Sequence, residues 1–145
     1  MKFTQALRLA DELELPDLRG QFVQLYLKDW GGEKPPCCAI GGAAVASGQV
    51  AIGFEDSPFG DTVLLALTDE AIHSAESPTF DDAVFSDLQW DLVFQCPEGD
   101  YPQGMSLKTI VIHLYDHHLW SRTQIADWLD GRAEYITLTK GAVSA

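Results

Sequence analysis

Residues 106–131, SLKTIVIHLYDHHLWSRTQIADWLDG, carry the strongest local signals in the chain, and their reading decides the fold. Leu107, Ile110, Val111, Leu114 and His118 fall at i, i+3, i+4, i+7 and i+11, which puts them on one stripe of a helix beginning near Ser106. Ser121, Arg122, Thr123 and Gln124 then form a capping box. In it the Ser121 hydroxyl accepts from the Gln124 amide while the Gln124 side chain reaches back. Trp120 before the cap and Ile125 after it supply a hydrophobic staple. A second helix follows with Ile125, Trp128 and Leu129 on its apolar face, and Gly131 stands where a left-handed terminating residue is wanted. The stretch is predicted to be a helical hairpin against which the rest of the chain packs.

Upstream, Phe3, Ala6, Leu7, Ala10 and Leu13 recur at helical spacing until Pro16, predicting a helix over 4–14. Residues 21–28, QFVQLYLK, alternate roughly and are rich in β-branched and aromatic side chains, so a strand is expected there. The breaker-dense WGGEKPP follows. Residues 37–47, CCAIGGAAVAS, are almost all small. The run matches neither phosphate-binding glycine pattern, and its glycines are expected to let a helix approach its neighbours closely. Residues 49–54 read as a short strand. Residues 62–75 read as a helix capped by Asp61, although VLLAL alone can pass for a strand. A short helical turn at 80–87, a strand at 89–95, a loop at 97–105 and an edge strand at 135–139 complete the reading. The expected fold class is α+β in one globular domain: a small antiparallel sheet packed with four or five helices.

The run IHLYDHHLWSRTQIADWL resembles a signature of small uncharacterised proteins from actinobacteria and their phages, in which a pattern of the type IHLND, WSR and IADWL recurs. Residues 38–43, CAIGGA, resemble the CALGA-like element of the same proteins; Tyr115 stands where their pattern carries Asn. The resemblance covers about a fifth of the chain and implies a fold and a phage-like setting, with no chemistry attached.

The 145 residues carry a net charge of −13, and from Pro35 to Leu107 there is no Lys or Arg. Direct nucleic-acid binding is therefore disfavoured, because phosphate affinity rests on basic side chains. The complementary expectation is a basic protein surface as partner, engaged by acids including Glu55, Asp56, Asp61, Asp81, Asp82, Asp87 and Asp91, as an inhibitor or a nucleic-acid mimic. The competing reading of the same acids is a solvated surface. Arg8, Asp11 and Glu12 interrupt what a secretory signal would need as its apolar region, and no apolar run reaches membrane-spanning length, so a bacterial cytoplasmic setting is expected. Three cysteines, two of them adjacent, make no disulfide framework.

No convincing catalytic set emerges, and no cofactor is expected. His113, Asp116 and His117 place two imidazoles at i and i+4 beside a carboxylate, the outline of an inverted zinc-peptidase motif with Asp in place of Glu; Cys96 or Cys38 are the conceivable further ligands. The alternative function is therefore a small zinc-dependent hydrolase. His118 is expected to be a core or boundary histidine making one hydrogen bond. Cys37 or Cys38 with His73 could form a nucleophilic arrangement on paper, but buried cysteine more often packs as a small hydrophobe. SRTQIADWL also suits the first helix of a helix-turn-helix, yet residues 131–139 read as extended and weakly basic where a recognition helix should stand.

Overall fold

The computed structural model describes residues 1–58, 60–67, 84–85, 88–132 and 135. The predicted features at 68–83 and 136–139 therefore lie outside the described residues. Within them the chain forms four α-helices and two antiparallel two-stranded sheets, an α+β fold with little sheet.

The hairpin is present. Helix α3, Leu107–Asp116, is capped by Ser106, whose hydroxyl accepts from the Thr109 amide at 3.2 Å. Leu107, Ile110, Val111, Leu114 and Tyr115 form its buried face. Helix α4, Arg122–Asp130, starts with the complete box: Gln124 N–H donates to Ser121 Oγ at 3.0 Å, and Ser121 N–H donates to Gln124 Oε1 at 2.8 Å. Gly131 closes α4 at φ −88°, a right-handed conformation, so the expected left-handed terminator is absent. The left-handed residue is Leu119, φ +59°, in the turn between the two helices. α3 also stops two residues short of His118, which leaves that residue off the apolar stripe.

Helix α1, Phe3–Glu12, buries Phe3, Ala6, Leu7 and Ala10 and packs on α4 and on α2, Ala39–Ala46. Glu14, at φ +56°, turns the chain out of α1. The small-residue run does permit close approach: a Cβ at Gly41 would overlap the Phe22 carbonyl, and one at Gly42 would sit 2.6 Å from Arg122 Nε.

Arg122, 1% exposed, is the polar centre of this core. Its Nη1 donates to the Leu15 carbonyl at 2.9 Å and its Nη2 to the carbonyls of Cys37 at 2.7 Å and Pro16 at 3.2 Å. Asp11 of α1 lies 3.3 Å from Nη1 and accepts from Thr123 N–H and Oγ1 at 2.8 and 2.7 Å, a second cap on α4. The Tyr115 ring lies beneath the guanidinium, 5.6 Å to its centroid, and the Tyr115 hydroxyl donates to Asp17 and to the Cys37 carbonyl. Burying a guanidinium is tolerable only when most of its donors are met and a charge partner is near; four of the contacts above supply that through Nη1 and Nη2, while the buried Nε has no hydrogen-bond partner among the described residues.

Three predicted elements take another form. Residues 21–28 are not a strand; Val23 and Tyr26 make single bridges to Cys37 and Thr62, and Leu27–Asp29 is a 3₁₀ turn. The segment changes partner midway, Gln24 N–H donating to Pro36 and Leu27 N–H to Asp61, so no continuous ladder can form beside Pro35 and Pro36, which lack N–H donors. Residues 62–67 are strand rather than helix: β1, Val50–Glu55, pairs antiparallel with β2, Thr62–Leu67, from Val50 opposite Leu67 to Glu55 opposite Thr62. Cross-strand pairing outweighs the weak local helical preference here, with Val63 and Leu65 turned to the core and Leu64 outward. The expected strand at 89–95 contracts to β3, Val93–Phe94, which pairs with β4, Met105–Ser106.

Candidate metal centre

The β3–β4 ladder is only two pairs long, but it decides what meets α3. It folds residues 95–104 back as a loop, and β4 runs directly into the Ser106 cap. Gly99, at φ +75°, closes a turn in which its N–H donates to the Cys96 carbonyl at 3.1 Å; a side chain there would be strained. Trp120 Nε1 donates to Glu98 at 3.2 Å and ties this loop to the helical hairpin. At the end of α3 the His118 N–H donates to the His113 carbonyl at 3.3 Å, which sets His118 against His113 before Leu119 reverses the chain.

Four side chains converge as a result. The Asp100 carboxylate lies 3.0 Å from His118 Nε2 through Oδ2, and 3.3 and 3.4 Å from His113 Nε2 through Oδ2 and Oδ1. Cys96 Sγ lies 3.7 Å from His118 Nε2. Ligand atoms of Cys96, Asp100, His113 and His118 all fall within 4.8 Å of one another. The His113 and His118 rings meet edge to face at 84°, their centroids 4.8 Å apart, and Tyr101 flanks His113. For zinc bonds of roughly 2.0–2.3 Å, the edges of a ligand tetrahedron are roughly 3.3–3.7 Å. The Asp100–His113 and Cys96–His118 separations fall in that range, Asp100–His118 is shorter at 3.0 Å, and no pair in the cluster exceeds 4.8 Å.

The electrostatics agree with mutual contact. The Cys96 thiol, ahead of His118 and His113, holds the Asp100 carboxyl well below the usual carboxylate range, against the opposing effect of desolvation. Burial, followed by the hydrogen bond to Asp100, raises the Cys96 thiol. A cation at the centre would replace the thiol proton and satisfy both groups.

The predicted residues divide as follows. His113 and Cys96 are in the cluster. His117 is outermost, 65% exposed, its Nε2 3.6 Å from Asp100 Oδ2. Asp116 is outside the four-member set, and its buried Oδ1 has no hydrogen-bond partner among the described residues. Cys38 instead caps α2, accepting from Gly41 N–H at 3.3 Å. Cys37 is buried beneath Arg122 and pushed up to about 12 by burial, with Arg122 opposing, which makes it a poor nucleophile. His73, Asp81, Asp82 and Asp87 lie outside the described residues. Of the remaining acids, Glu55, Asp56 and Asp61 gather at the turn end of the β1–β2 hairpin, where a hydrogen bond with Asp56 raises the Asp61 carboxyl; Asp91 is exposed in the turn before β3.

Sequence reasoning missed Asp100 and the place of His118 in the cluster. A helix read through to His118 sets that residue five positions beyond His113, off its face. The available signal was CPEGD at 96–100, a tight Pro-Gly turn that brings a thiol and a carboxylate together twelve intervening residues before His113.

The fold and site define an α+β protein with a Cys/Asp/His/His cluster at a loop-to-helix junction. No protein family, no curated protein and no solved structure compared with the chain matches it. No helix among the described residues is long and apolar enough to cross a membrane.

Proposed function

We propose that this protein binds a divalent transition-metal ion, zinc foremost, through Cys96, Asp100, His113 and His118. The observation that carries this reading is the convergence of their four ligand atoms within 4.8 Å. One thiolate and two imidazoles favour zinc over calcium or magnesium, which take oxygen ligands. Four protein ligands fill a tetrahedral shell, so the geometry supports holding the ion rather than activating a water on it. Protein purified without an affinity tag should retain close to one zinc per chain. Cys96→Ser and His118→Ala should each weaken binding on the order of 100-fold. Wild-type protein that takes up neither Zn²⁺ nor Co²⁺ more tightly than the Cys96→Ser/His118→Ala double variant would remove the proposal.

The grouping of Glu55, Asp56 and Asp61 favours a second reading, an acidic docking surface for a basic protein, in keeping with the phage-like resemblance. Such docking weakens with salt. A pull-down from bacterial lysate should retain a basic partner at low ionic strength and lose it at high; retention indifferent to salt, or equal retention by a Glu55→Gln/Asp56→Asn/Asp61→Asn variant and wild type, speaks against it.

A further inference from the structure

We infer that the ion in this centre is exchangeable and that His117 is its capture ligand, standing outside the four-ligand shell and taking Asp100's place while the ion enters or leaves. This rests on the metal-binding reading above. Three imidazole nitrogens face one oxygen: Asp100 Oδ2 lies 3.0 Å from His118, 3.3 Å from His113 and 3.6 Å from His117. The His117 ring stacks on His113 at 20°, centroids 5.1 Å apart, and meets His118 edge to face at 4.8 Å. It is held beside the shell rather than free in solvent.

Exposure orders the five groups from outside to inside. The His117 side chain is 65% exposed, Asp100 33%, His118 and His113 18% and 17%, while Cys96 is buried. A cation arriving from solvent therefore meets His117 and Asp100 first and the thiol last. Zinc changes ligands by passing through five-coordination, which needs an incoming donor already within reach. His117 is that donor. Asp100 is the ligand to be displaced, since a carboxylate oxygen is the hardest and most readily hydrated of the four. The protein's net charge of −13, with Glu98 in the same loop, concentrates cations near this mouth.

The fold does not depend on the ion for its core. Leu107, Ile110, Val111, Leu114, Ile125 and Leu129 are fully buried in the apolar core and none belongs to the cluster, so the packing of the hairpin does not run through the ion. The chemistry is that of a site that accepts a borderline-soft divalent cation and can pass it to a competing chelator.

Stopped-flow mixing of the full chain with Co²⁺ alone, followed by its thiolate-to-cobalt absorption, and release to an excess of a chromogenic chelator give both rates. In His117→Gln, uptake and release should both slow on the order of tenfold, with an unchanged cobalt spectrum. Circular dichroism checks that this exposed position leaves the helices intact. Wild-type rates in the variant overturn the inference. So does a changed cobalt spectrum with affinity lost about 100-fold, which would make His117 a standing ligand. If wild-type protein binds no Co²⁺, the metal-binding reading itself fails and carries this inference with it.

Discussion

At the scale of single residues, Arg122 ties two segments to α4, because the carbonyls of Leu15, Pro16 and Cys37 all end on its guanidinium. Arg122→Met is expected to lower stability by about 3–5 kcal/mol, since it leaves buried acceptors of Leu15, Pro16 and Cys37 unmet. Arg122→Lys should recover little of this, as one ammonium cannot span the fork. Urea midpoints decide both. Tyr115 and Cys37, packed against the same guanidinium, predict an alkaline weakness. Burial raises the Tyr115 phenol, with Asp17 adding to it, and burial pushes the Cys37 thiol from 9.0 up to about 12. Groups raised in the folded state keep their proton there longer than in the unfolded chain. Their stabilisation is therefore complete below the unfolded values and is lost as pH climbs from about 9 towards 12. Denaturation at pH 7 and pH 10.5 should show this decline. Tyr115→Phe should cost about 1 kcal/mol at pH 7 and flatten the decline.

At the scale of elements, the α3–α4 connection carries a strained residue in a useful place. Leu119 holds φ +59° while 64% exposed, so its side chain contributes little packing to offset the left-handed backbone. Leu119→Asn should stabilise by about 1 kcal/mol without disturbing metal uptake, because Asn tolerates this conformation. A drop in melting temperature would show that the Leu119 side chain matters more than its exposure indicates. Ser121→Ala removes a cap whose bonds are intact on both sides and should cost about 1 kcal/mol. The hairpin was legible in sequence because caps and stripes act over three or four residues. The strand expected at 21–28 was not realised, because alternation says nothing about whether a continuous partner edge exists. The helix expected at 62–75 became strand over 62–67 once β1 was available across the turn.

At the scale of the whole molecule, the candidate metal centre links the 95–104 loop to the helical hairpin, beside the two-pair ladder, the direct run of β4 into α3, the Tyr101–His113 ring contact and the Trp120–Glu98 bond. An ion bound only by the folded state stabilises it by mass action, about 2.7 kcal/mol at a free concentration 100 times Kd. Added Zn²⁺ should raise the melting temperature of wild-type protein, and a chelator should reverse the rise without abolishing helical circular dichroism. Cys96→Ser should show neither effect. Uptake should weaken as pH falls, because the thiol must lose its proton and the imidazoles must be neutral to ligate. An equal thermal shift in Cys96→Ser would place the ion elsewhere.

What the sequence determined by itself is local: the capping box at Ser121, the buried stripe Leu107, Ile110, Val111 and Leu114, the apolar face of α1, and the closeness that Gly41 and Gly42 permit. Each follows from chemistry within a turn or two of chain. Only the tertiary structure decided that Arg122, written inside a capping box, would be a buried hub, and that Asp100 and His118 would join Cys96 and His113. Those outcomes depend on where Gly99 turns the backbone, on how α3 closes at His118 and on which segments lie opposite. Such contacts join residues far apart in sequence, and no short-range periodicity encodes them.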